Sequence, residues 1–213
     1  GEWIEFDVEQ KPGKDVTAGT RVARKRRLSL FVLIRALGFG EDNVPGFLDA
    51  FVRHFDFLEG QWEKDQDLAP TQEEALIEIY KRARPGEPAT PESSRNYFQN
   101  AFFESRRYDL SRVGRYKLNR KLGPEVQHLL EVFPMLEGHV DVPDADLSVL
   151  SRVELLAATT YLLNLAAGTP GYRLDDQDHF ATRPIRPLGE LIKNQDGIGL
   201  SSRERVVPER MPT

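Results

Sequence analysis

No cysteine occurs among the 213 residues. Disulfides and thiolate metal sites are therefore excluded, and a reducing cytoplasm is the expected compartment. No apolar run approaches the roughly 20 residues a membrane-spanning helix requires. The opening GEWIEF also lacks the basic-then-apolar order of a signal peptide. The chain thus reads as soluble, with no membrane among its partners. It begins without Met and reads as a segment of a longer polypeptide. Basic charge is not in excess either. The formal net charge is −5, which argues against a protein that coats nucleic acid indiscriminately, since such binding rests on a basic surface that displaces counterions from phosphates.

What is present is a patterned, helix-rich chain. Apolar and acidic residues alternate from Trp3 to Val8, Pro12-Gly13 interrupts, and a second extended run follows from Arg21 to Leu30. This pattern predicts a hairpin. The run LSLFVLIRALGFG predicts a short buried helix that stops at Gly38. Val44, Phe47, Leu48, Phe51, Val52 and Phe55 recur at helical intervals between Asn43 and Leu58, so their aromatic rings are expected in the core.

Thr71 followed by Glu74 has capping-box spacing for a helix running to Arg84, and Thr90-Pro91 opens another. Ser151 with Glu154 repeats the box before an apolar helix closed by Gly168. From Pro184 onward Pro and Gly are frequent, with Pro208 and Pro212 barring helix interiors. The expected class is α+β, a helix-rich lobe with a small antiparallel sheet and an irregular C-terminal segment.

Between Arg106 and Lys121 stand seven basic residues, Arg106, Arg107, Arg112, Arg115, Lys117, Arg120 and Lys121, against Asp109 alone, with Tyr108 and Tyr116 interleaved. Such a strip can neutralise phosphates while its rings stack on unpaired bases. Equally, it can be a solvated face whose tyrosines anchor in the core. A second basic run, Arg21 to Arg27, alternates toward both faces of a strand and carries the same two readings. Asp175, Asp176 and Asp178 beside His179 have the ligand chemistry of a divalent-cation site. The four histidines are dispersed and no Ser or Cys nucleophile motif accompanies them, so a stand-alone hydrolase finds no support.

Three stretches together resemble one family: the opening GEWIEFDVEQ, the segment from Arg84 to Leu122 (RPGEPATPESSRNYFQNAFFESRRYDLSRVGRYKLNRKL), and LDDQDHFATRPIRPLGELIKNQ. In that order they resemble the β subunit of bacterial DNA-directed RNA polymerase, and the likeness runs along nearly the whole chain. The resemblance implies a lobe domain over residues 1–186 and a returning segment over 187–213. It implies a part of a nucleotidyltransferase that is inactive alone. The Mg²⁺ of the parent enzyme is bound by carboxylates of the β′ subunit, leaving no cofactor, no metal site and no catalytic residue in this chain.

The implied partners are downstream duplex and non-template DNA, the α, β′ and ω subunits, sigma factor and transcription factors. Asp178 matches a residue that reads the Watson–Crick edge of an extruded guanine, and Arg183 the arginine beside it. Trp3 matches a tryptophan that stacks on the neighbouring base. Arg186 and, from the basic strip, Arg106, Arg107, Arg112, Arg115, Lys117 and Arg120 complete the expected DNA contacts.

The chain departs from the family at Gln177, at Ala181, Thr182 and Pro184, at Asp196 and Gly197, and at Pro208. These changes remove basic and apolar groups. They leave open a second role, that of a non-catalytic docking module for transcription factors.

Overall fold

The computed structural model describes residues 2–141, 143–144 and 146–175, with short pieces at 188–189, 192–193, 195–197 and 199–200. The chain divides into two compact units, Gly1–Arg173 and Leu174–Thr213. The expected boundary between 186 and 187 lies outside the described residues. Those described beyond 187 are helical. No described helix is long and apolar enough to cross a membrane.

In the first unit the alternating N-terminal residues form β1 (Ile4–Glu9), antiparallel to β2 (Thr17–Val22), with Ile4 opposite Val22 and Glu9 opposite Thr17. Gly13 takes the left-handed turn between them at φ 71°. The second strand is shorter and earlier than the Arg21–Leu30 run predicted. Ala23 and Arg24 turn back at φ 54° and 57°, and the two-residue β3 (Leu28–Ser29) then pairs with β2.

The basic run 21–27 is therefore a turn rather than a strand alternating across two faces, because its ends converge on one carboxylate. Arg21 and Arg27 donate to Asp7 at 2.8 and 2.5 Å. Gly19 makes room for this, since a Cβ there would lie 2.4 Å from the Arg27 Nε. Gln61 pairs with both backbone groups of Ala18 in β2, accepting at 2.7 Å and donating at 2.9 Å.

Helix α1 (Leu30–Ala36) starts where the Ser29 hydroxyl accepts from the Phe31 N–H, is buried at every position, and ends before Gly38 at φ 91°. The cation inside it, Arg35, donates to the carbonyls of Asp65, Gln66 and Leu68 at 3.2, 2.8 and 2.7 Å. These carbonyls lie at and beyond the end of a short helix, Glu59–Asp65, so Arg35 both satisfies orphan acceptors and opposes the negative end of the helix dipole. Burial pulls its pKa below the ordinary arginine value, and the nearby Asp65 and Asp42 work against that. Trp62, for which the sequence offers no role, packs between Arg35 and Phe31 with its ring 5.3 and 4.9 Å away.

The single helix predicted over 43–58 is interrupted. Gly46, at φ 76°, delays its start, and a helix at Phe47–His54 is followed by a 3-10 turn at Asp56–Leu58. Its aromatics do reach the core, where Phe47 and Phe51 meet Phe133 at 5.4 and 5.9 Å between ring centroids. The two capping boxes open helices as read, at Gln72–Ala83 from Thr71 and at Arg152–Ala166 from Ser151, and Thr90-Pro91 opens Pro91–Phe102, where Ser93 completes a third box.

In chain order after α1, the α-helices are α2 (Phe47–His54), α3 (Glu59–Asp65), α4 (Gln72–Ala83), α5 (Pro91–Phe102), α6 (Ser111–Val132) and α7 (Arg152–Ala166). α4 packs on α1 and α5, and α6 packs on α7. α6, 22 residues long, carries most of the basic strip.

Candidate nucleic-acid interface

The strip is held in place by its own least accessible member. Arg115 is 4% exposed, and its guanidinium donates to the Leu147 carbonyl at 2.6 Å and to Asn119 Oδ1 at 3.1 Å. It also donates to the Val149 carbonyl and forms an ion pair with buried Glu154. A guanidinium with this many internal acceptors has no fork left for a phosphate. Arg115 is thus removed from the expected contacts and becomes the clasp between α6, the 147–149 segment and α7. Glu154 is doubly used, because its other oxygen accepts from the Ser151 N–H at 2.8 Å to complete the capping box of α7.

The turn before α6 is also pinned. Asp109 accepts from the Ser111 N–H at 2.8 Å, with Ser111 at φ 58°, and the Leu110 N–H donates to the Ser148 carbonyl at 2.8 Å.

With Arg115 turned inward, α6 presents the rest outward. Arg112, Lys117 and Arg120 on the helix, and Arg106 and Arg107 in the turn, are exposed. The guanidinium groups of Arg106, Arg107, Arg112 and Arg120 make no ion pair, hydrogen bond or ring contact among the described residues. Lys121 is engaged, its ammonium 4.8 Å from the centre of the Tyr161 ring.

The two interleaved tyrosines part company. Tyr108 packs on the core with its ring 6.4 Å from Phe102, and burial pushes its hydroxyl above the ordinary value. Tyr116 is 65% exposed. Tyr108 thus anchors in the core, as the solvated-face reading expects, and Tyr116 does not.

Trp3 is 59% exposed, just ahead of β1. Its carbonyl accepts from Ala23 at 2.8 Å, and the Arg24 guanidinium lies 5.1 Å from its ring centre, within cation–π range. Arg24 is a functional candidate that the sequence does not single out, because only the strand pairing brings position 24 to position 3. A surface hollow joins Trp3 to Glu2, Phe6, Tyr108 and Asp109, and a second joins Glu2 to Arg84, Tyr97 and Arg107. The N-terminal tryptophan and the turn that begins the strip are neighbours through Glu2.

Asp178, Arg183 and Arg186 lie outside the described residues, as do Asp176 and His179. Among the described residues no three His, Cys, Asp or Glu side chains converge on a possible cation position.

A family model described as RNA polymerase Rpb2, domain 2, matches residues 4–131, from the first residue of β1 to the penultimate residue of α6. More than half of the chain lies within the match.

Proposed function

The chain belongs to the RNA polymerase Rpb2 domain 2 family, a piece of the second-largest subunit of DNA-directed RNA polymerase, and from that membership we propose that its task is to hold DNA while the phosphodiester bond is made elsewhere in the enzyme. The observation that carries this reading is the set of four exposed guanidinium groups, Arg106, Arg107, Arg112 and Arg120, which have no partner among the described residues, on a helix and turn fixed from beneath by Arg115. A planar guanidinium offers two parallel donors to a phosphate, and an array fixed by the fold loses less side-chain entropy on binding than a flexible tail. Lys117 adds a point charge to the same face.

Trp3, backed by Arg24, supplies a flat surface for a displaced base. Asp178, Arg183 and Arg186 join the reading on family resemblance, as the guanine-reading carboxylate and its basic neighbours. Contacts with the other polymerase subunits, sigma factor and transcription factors belong to the same proposal, as does a catalytic Mg²⁺ held by another subunit.

The test is fluorescence anisotropy of the chain with labelled fork DNA at low salt, compared with a variant in which all four arginines are Ala. The variant should bind more weakly, and its plot of log affinity against log salt should be shallower by roughly 0.9 for each phosphate contact removed from duplex. Equal affinity and slope for both proteins would overturn the reading and favour a docking role. A guanine-over-adenine preference at the displaced position, lost in Asp178→Ala, checks the strand-reading part separately.

A further inference from the structure

Resting on that reading of the α6 face, we propose that Tyr116 is a base-stacking residue that makes this face select single-stranded over duplex nucleic acid. Tyr116 is 65% exposed, and neither its ring nor its hydroxyl has a partner among the described residues. Its neighbour Arg115 is buried and paired with Glu154 of α7, which sets the rotation of the helix and turns position 116 about 100° away from that contact.

Arg112 and Arg120 stand one turn before and one turn after Tyr116, each roughly 6 Å away along the axis at 1.5 Å per residue. Both are exposed, and neither has a partner among the described residues. Val113, 58% exposed, widens the apolar surface beside the ring. The resulting order along one stripe is cation, aromatic ring, cation. The two arginines are roughly 12 Å apart along the axis, so phosphates that flank a short unstacked segment, rather than adjacent ones, can sit on them while a base between lies on the ring.

A duplex can use only the arginines, because its bases are stacked and paired inside. A single strand can use all three side chains, and every base has a face to offer, so the preference is for strandedness rather than for sequence. The other rings nearby cannot substitute. Tyr108 is packed on Phe102, and Tyr161 lies beneath the Lys121 ammonium.

The experiment compares wild type, Tyr116→Ala, Tyr116→Phe and the Arg112→Ala/Arg120→Ala double variant by anisotropy, using three labelled probes at low salt: a mixed-sequence single strand, its duplex, and the same strand made abasic. Tyr116→Ala should weaken single-strand binding roughly tenfold, leave duplex binding unchanged, and have no effect on the abasic strand. Tyr116→Phe should behave as wild type, since the ring and not the hydroxyl makes the contact. The arginine double variant should weaken binding to all three probes.

If Tyr116→Ala lowers single-strand and duplex affinity equally, or lowers neither, the stacking role is overturned while DNA binding by the strip stands. If the wild-type chain binds none of the probes, the DNA-holding reading falls, and this inference with it.

Discussion

Arg112 and Arg115 lie three positions apart and have opposite fates, and no count of basic residues distinguishes them. The difference is their position around the helix. Arg115 begins the series Leu118, Leu122, Val126 and Leu129 at three- and four-residue spacing, the face that turns inward, whereas Arg112 lies at the edge of that face, roughly 80° from its centre, and is exposed in the first turn. That periodicity is present in the sequence. The counter-ion is not, because Glu154 is 39 residues away and only the packing of α6 on α7 brings it near.

His54 is another residue whose behaviour is set by packing. It shares a narrow cleft with His128, Glu125 and Phe133, with Glu131 3.9 Å from the far imidazole. Burial, then the charge of His128, holds its pKa below the ordinary 6.5. The folded state therefore favours neutral His54. Its contribution to stability is complete above about pH 6.5 and is lost as the pH falls through that value toward the depressed folded pKa. Urea midpoints should accordingly fall more between about pH 7.5 and about pH 5.5 for wild type than for His54→Gln; parallel profiles would contradict the assignment.

Among the elements, those that carry their own start signal were legible. Two capping boxes mark the beginnings of α4 and α7, since side-chain oxygens at fixed spacing satisfy orphan N–H groups locally, and Pro91 in the first turn marks that of α5. The hairpin was legible, but the extent of its second strand was not, because the Arg21–Arg27 turn is held by Asp7 from the opposite strand. α6 was not assigned from sequence. Gly114 and the pair Gly123-Pro124 are stop signals, and Pro124 lacks the N–H that would reach the Arg120 carbonyl. The helix persists because Arg115, Glu125, Val126 and Leu129 are buried along it.

The junction between α6 and α7 is the element-scale feature most open to measurement. Replacing Arg115 with Met should cost about 3–5 kcal/mol in urea unfolding, because Glu154 is left as an unpaired buried charge. Adding Glu154→Gln should recover part of the loss, since a neutral amide can remain buried at lower cost and still accept from the Ser151 N–H. Arg112→Met, on the outer face, should shift stability by less than about 0.5 kcal/mol.

For the molecule as a whole, the family was legible in the opening stretch and in the segment from Arg84 to Leu122, both of which overlap the matched residues 4–131, whereas the stretch from Leu174 lies beyond them. The guanine-reading part of the expected site lies outside the described residues, so Trp3 and the α6 strip are the part of it the structure describes. The strip also works against an acidic background of net charge −5. Neutralising exposed acidic residues outside it, as in Glu63→Gln with Glu73→Gln, should raise the association rate with DNA at low salt. The gain should fade near 0.1 M, where the screening length falls to about 10 Å, with dissociation unchanged. Stopped-flow traces showing a salt-independent gain would argue for direct contact at those positions instead.

The double duty of Glu154 has a mechanical corollary. Since one carboxylate both closes the first turn of α7 and grips α6 near its N-terminal end, neither helix can slide without unseating the other. A load applied to the outward arginines would travel into the base of the neighbouring helix, and the pair would yield together as a single lever.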